Sequence, residues 1–121
     1  MDLAGRWDFI IEQGSTFERY FRWEDSNGNP RALDAYTLRM RIRYTPDLTT
    51  VLATTEGESP TIVISQPGAT GVFKIAMTAT NTALLDFIRA VYDVEAYEGV
   101  VVYRIVEGNV TLSKEVTYTN P

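Results

Sequence analysis

From Thr37 to Tyr44 the chain alternates without a break: Leu38, Met40, Ile42 and Tyr44 are apolar, and Thr37, Arg39, Arg41 and Arg43 between them are polar. A helix would scatter these apolar side chains around its circumference, whereas a strand sends alternate residues to opposite faces. The segment is therefore a half-buried strand with an apolar inner face and a cationic outer one. Such a face is stable only when other strands cover it, so the rest of the chain has to supply a sheet.

The flanking sequence supplies it. Phe17, Phe21 and Trp23 share even spacing, with Glu18, Arg22 and Glu24 on the other face, and the run ends at Asp25-Ser26-Asn27-Gly28-Asn29-Pro30, where the chain must turn. A shorter strand, Trp7 to Gln13, precedes it and breaks at Gly14. Leu48 to Thr54 reads as a short strand or an extended loop, and Glu56 to Pro60 as a turn. Ile62 to Ile64 and the alternation Phe73, Ile75, Met77 read as a hairpin around Gln66 to Gly71. Thr80 is expected to cap a helical turn through Asp86 that crosses between sheets. Three more strands follow: Ala90 to Tyr97 with Tyr92, Val94 and Ala96 inward, Val100 to Val106, and Val110 to Val116, the last two joined by a tight hairpin at Glu107-Gly108-Asn109. About eight short strands with no long helix predict an all-β fold, a β-sandwich first and a small closed barrel second. With 121 residues and no visible linker, one domain spanning 1–121 is expected.

Composition narrows the function. Sixteen acidic against eleven basic side chains give a net charge of −5, which disfavours nucleic acid as a partner. The chain contains neither histidine nor cysteine, so disulfides, thiolate metal sites, thiol nucleophiles and histidine general acid–base chemistry are all ruled out. No apolar run reaches the ~20 residues a membrane helix needs, and the N-terminus lacks the pattern of a signal peptide, so no membrane partner and no export are expected.

The remaining candidates are few. Asp93 and Glu95 lie two apart on one strand and share a face, a geometry open to a carboxylate pair or a hard cation, although charges on an outer face ordinarily pair across the sheet. Asp25 to Asn29 has the alternating oxygens of a calcium loop but not its terminal bidentate Glu; Arg31-Ala32-Leu33 follows instead, and a turn is expected. Gly68 and Gly71 have no trailing Lys-Thr and read as turn glycines. No metal and no cofactor is expected. Arg39, Arg41 and Arg43 form a positive stripe with a spacing of about 6.6 Å. It can grip an acidic partner, a phosphate or an acidic sugar, or else be neutralised within the chain by Asp93, Glu95 or Glu115. Trp23, Tyr44 and Tyr92 fall on inward registers and are expected in the core; the faces of Tyr20, Tyr97 and Tyr103 stay open.

The order of motifs carries a resemblance. Gly14-Ser15-Thr16-Phe17, then Trp23-Glu24-Asp25-Ser26-Asn27-Gly28-Asn29-Pro30, then Leu33-Asp34-Ala35-Tyr36-Thr37-Leu38-Arg39-Met40-Arg41-Ile42-Arg43, followed by Gly71-Val72-Phe73-Lys74-Ile75, Val91-Tyr92-Asp93-Val94-Glu95 and Glu107-Gly108-Asn109-Val110-Thr111, resemble a structural domain of tailed phages. That domain is similar to the N-terminal part of siphophage baseplate upper proteins and to small tail-tip or collar proteins, and the likeness spans nearly the whole chain. It implies an immunoglobulin-like β-sandwich in a virion structural protein of the phage tail, baseplate or collar. Such a protein is non-enzymatic, assembles in the host cytoplasm, associates with itself in a ring and docks other tail or fibre proteins. With no fibre segment after Pro121, a free-standing accessory subunit is the form expected. Arg39, Arg41 and Arg43 and the apolar Val100 and Val102 are the candidate protein contacts. A carbohydrate- or receptor-binding module, with exposed tyrosines stacking on sugars and the arginines holding acidic groups, is the alternative.

Overall fold

In the computed structural model, residues 2–65 and 70–116 are described. Among them the elements follow as β1 (Asp2–Leu3), β2 (Gly5–Arg6), β3 (Phe9–Glu12), β4 (Phe17–Arg22), β5 (Thr37–Arg43), β6 (Val51–Thr54), β7 (Val63–Ser65), β8 (Val72–Met77), the helix α1 (Ala79–Ala83), β9 (Arg89–Glu98) and β10 (Val101–Ser113). Hydrogen bonding sorts the strands into two sheets. The smaller has the order β1-β4-β8-β7, and the larger the order β2-β10-β9-β5-β6, with β3 also paired to β10. The chain is an all-β sandwich, and the closed barrel does not form.

The alternation in β5 behaves as periodicity requires: Leu38, Met40 and Ile42 are buried, and Arg39, Arg41 and Arg43 face outward. Opposite them on the inner face of β9 lie Ala96, Val94 and Tyr92. The smaller sheet contributes Phe17 and Phe21 from β4 and Phe73, Ile75 and Met77 from β8. Burying each of the larger side chains is worth about 1.5–3 kcal/mol. The aromatic layer is ordered around Phe9, whose ring stacks on Tyr92 at 4.3 Å and lies 5.6 Å from Phe17 and 5.9 Å from Phe21. Arg19 shares the inward register of β4, with its guanidinium 5.1 Å from the Phe9 ring, where the cation meets a π-face.

The N-terminal segment belongs to both layers. Residues of β1 run parallel to β4 in the smaller sheet; the chain then crosses at Ala4, whose N–H donates to the Arg22 carbonyl, and β2 and β3 run parallel to β10 in the larger sheet. One short segment thereby covers part of an edge of each sheet, which blunts pairing with foreign strands. At the other end α1 makes the crossing between sheets. Its cap is Thr78 and not Thr80: the Thr78 hydroxyl accepts from the Asn81 N–H at 3.2 Å. The fully buried Thr82 hydroxyl donates to the Ser15 carbonyl at 2.8 Å and accepts from the Gly14 N–H at 3.0 Å, tying the helix to the turn before β4.

The C-terminal third departs from the expected three strands. Among the described residues it forms two long ones, and the hairpin turns at Glu98 to Val101, with Gly99 at φ +59°. Glu107-Gly108-Asn109 does not turn at all; it lies within β10, with Gly108 opposite Tyr92. The glycine answers to a close approach of chains: a Cβ there would sit 1.9 Å from the Trp7 carbonyl oxygen. A register shift between Arg104 and Val106 inserts Ile105 as an extra residue, and both Ile105 and Val106 are buried. Val116, expected inward, is 90% exposed because β10 stops at Ser113. Trp23 and Tyr92 are core residues as expected, but Tyr44 is 42% exposed, since β5 ends at Arg43 and the alternation ends with it. Part of the turn expected between β7 and β8, Gln66 to Ala69, lies outside the described residues.

Candidate contact surface

Three strands build the outer face of the larger sheet over the arginine stripe. Register places Arg39 opposite Glu95, Arg41 opposite Asp93 and Arg43 opposite Val91; on the far side of β9, Arg104 pairs with Glu95, Glu107 with Asp93 and Asn109 with Val91. The stripe is thus largely answered within the chain. Arg39 Nε donates to Glu95 Oε1 at 2.8 Å, and its guanidinium lies 4.4 Å from the Tyr97 ring centre. That hydrogen bond raises the Arg39 pKa. Arg41 reaches Glu56 at 2.7 Å, and Arg104 lies 3.4 Å from Asp93 and 3.9 Å from Glu107. Pairs this exposed contribute about 0.2–1 kcal/mol each. Glu115, offered as a third acid, lies elsewhere: its backbone N–H donates to the Gln13 side chain at 2.9 Å.

Arg43 is the exception. It enters no ion pair among the described residues, and its Nε is buried without a hydrogen-bond partner. Its neighbours across the sheet are Val51 and Val91, so no acid stands opposite it. Between the Arg43 side and β2 runs a groove of about 540 Å³, bounded by Arg6, Arg43, Val91, Asp93, Glu107 and Asn109 among others. Asp93 and Glu95 do share this face, but among the described residues no group of three or more acidic side chains is placed to hold a metal ion. Burial, reinforced by Glu95 and Glu107, pushes the Asp93 carboxyl above its ordinary value, against the opposing pull of Arg104 and of Arg43, which lies diagonally across the sheet. The Asp25 loop is a turn: Asp25 Oδ1 accepts from the N–H groups of Asn27 and Asn29 at 2.9 and 3.0 Å.

The second candidate lies at the end of the sheet. Val100 is 98% exposed, and Val101, Val102 and Tyr103 are each 40% exposed or more. The hairpin outruns its neighbours here: β5 begins at Thr37, level with Tyr97, and β2 reaches β10 only at Val106. Val101 to Arg104 consequently pairs with β9 on one side and with no strand on the other among the described residues. Its base is rigid. Tyr103 lies 5.7 Å from Trp23 and 6.1 Å from Tyr36, and Arg31 sits 4.3 Å above the Trp23 ring.

No protein-family model matches this chain, and no curated protein matches it. Val100 and Val102 are legible in sequence as an apolar run. Two features are not: the lack, among the described residues, of a strand beside Val101 to Arg104, and Arg6, which only the pairing of β2 with Glu107 brings to the groove.

Proposed function

We propose that this chain is a non-catalytic assembly subunit, a virion structural protein of a phage tail, baseplate or collar that self-associates and docks neighbouring tail or fibre components. The observation that carries the reading is the open edge of β10. Val101-Val102-Tyr103 is β-prone and uncharged and, among the described residues, unpaired on one side, and a sheet edge of that kind is ordinarily covered by another strand. Strand addition satisfies the free backbone groups, and the exposed Val100 and Val102 side chains add apolar burial. Pairing the same edge of two copies gives a two-fold contact; pairing it with a different patch of the next copy gives a ring.

Two further points support the assignment. An order of β4-β8-β7 against β10-β9-β5-β6 is compatible with strands B-E-D against G-F-C-C′ of the immunoglobulin-like sandwich that the phage resemblance implies. The chain also has no histidine and no cysteine to offer a catalytic centre.

The test compares the molar mass of the purified chain, by light scattering over a concentration series, with that of a Val100→Lys, Val102→Lys double variant. Association that disappears in the variant, with the melting temperature unchanged, supports the reading, as does capture of purified phage tail proteins by the parent chain alone. A parent chain that stays monomeric at high concentration and captures no tail component overturns it.

A further inference from the structure

The groove on the outer face of the larger sheet has the chemistry of a ligand site separate from the β10 edge. Its volume, about 540 Å³, falls in the range of small-molecule sites, ~300–1,000 Å³. Along its walls the backbone groups of β5, β9 and β10 are used in the sheet ladders, so recognition there depends on side chains. These divide into three kinds. Arg43 lines the groove, half-buried, and supplies a guanidinium that enters no ion pair among the described residues, and Arg6 adds a second whose contact to Asp8 is 3.8 Å, too long for a charge-assisted hydrogen bond. Asp93 and Glu107 share Arg104 at 3.4 and 3.9 Å, also long, which leaves their oxygens free to accept. Val91 and Pro46 are apolar.

We infer that this groove binds an acidic sugar, a pyranose carrying one carboxylate, with the carboxylate on Arg43 and the ring hydroxyls donating to Asp93 and Glu107. A guanidinium recognises a carboxylate through parallel N–H donors. Carboxylates beside it accept from hydroxyls and would repel a second negative charge, so phosphates and nucleic acid are disfavoured on the same ground. Val91 and Pro46 suit the C–H face of a sugar ring. Asp93 is itself partly buried, and in a partly dehydrated recess hydrogen bonds are strengthened.

The experiment is a titration of the full chain, labelled with ¹⁵N, with sodium glucuronate, and with glucose and sodium acetate at matched ionic strength. The expected result is saturable shifts of the amides around Asp93 and Asn109 with glucuronate, and no saturation with either control. Arg43→Gln should weaken glucuronate binding about tenfold or more, the loss expected for one charge-assisted hydrogen bond, with no change in melting temperature. Arg39→Gln, which removes the arginine held by Glu95, should leave the affinity unchanged. Acetate saturating the same amides as tightly as glucuronate, glucuronate failing to saturate, or Arg43→Gln binding as the parent does would each overturn the assignment. None of these outcomes depends on the β10 edge, so the site and the assembly reading stand or fall separately.

Discussion

Replacing Gly108 with alanine tests the crossing on which the larger sheet depends. Gly108 does not have a positive φ, so no left-handed backbone is at stake; the added methyl would meet the Trp7 carbonyl oxygen at 1.9 Å and the Trp7 carbonyl carbon at 2.7 Å. Both obstacles are backbone and cannot rotate away, so the segment joining β2 to β3 has to move off β10. Three hydrogen bonds go with it: Trp7 N–H to the Glu107 carbonyl at 2.9 Å, the Tyr92 hydroxyl to the Trp7 carbonyl at 2.5 Å, and Asn109 N–H to Asp8 Oδ1 at 2.9 Å. At about 1 kcal/mol net for each, the loss is about 3 kcal/mol. In a domain of this size that lowers Tm by roughly 10 to 15 °C. The control is Gly28→Ala, where φ is +83° but nothing lies within 4 Å, so that only the left-handed backbone is penalised, by about 1 kcal/mol. Thermal unfolding ranks the two, and hydrogen exchange locates the damage, with the amides of Trp7 and Asn109 losing protection while that of Val94 keeps it. If Gly108→Ala melts no lower than Gly28→Ala, the N-terminal strand does not lie across Gly108 and the description of the larger sheet fails.

Tyr92→Phe should cost about 1 kcal/mol in urea denaturation, the net value of one hydrogen bond, because it leaves the ring stacked on Phe9 and removes only the donor to Trp7. Burial raises the Tyr92 pKa, so its contribution to stability is full below the ordinary phenol value and falls as pH climbs through the higher folded value. Ultraviolet titration should accordingly show a tyrosine contribution that ionises only with alkaline unfolding and that Tyr92→Phe removes. Asp93 obeys the same sign: its folded pKa lies above the ordinary 3.8, so the stability it contributes is full below that value and is lost as pH rises through the folded one. Asp93→Asn should therefore gain on the parent chain in Tm as pH rises from below 3.8 to neutrality, and a constant offset across that range would refute the burial argument.

How much of this could be read in the sequence depends on how far apart the interacting residues are. Alternation is a local property, so the faces of β5, β4 and β8 were legible, and so was the shared face of Asp93 and Glu95. Gly108 was not legible, because a glycine between Glu and Asn has the composition of a hairpin turn, and only the chain lying across it from Trp7 gives it a different purpose. Tyr44 continued the alternation in sequence after the strand itself had stopped, since no strand pairing extends past Arg43. Arg6 bears no periodic relation to Arg43. Their meeting at one groove requires the parallel pairing of β2 with β10, and no short-range signal encodes a contact over a hundred residues.

The crossing near Ala4 also explains why the two candidate surfaces lie where they do. Because the chain spends β1 on the smaller sheet, it reaches β10 only at Val106, and among the described residues Val101 to Arg104 has no paired strand on that side. From the same point of arrival, Arg6 is set beside Glu107 and closes one wall of the groove. A longer β2 that began earlier on β10 would cover the open edge and leave the groove in place; a register slip of one residue would turn Arg6 to the other face and leave the edge open. The two surfaces share a structural origin but are separable by mutation, and for that reason substitutions at Val100 and Val102 can test assembly without touching the groove, while Arg43→Gln tests the groove without touching the edge.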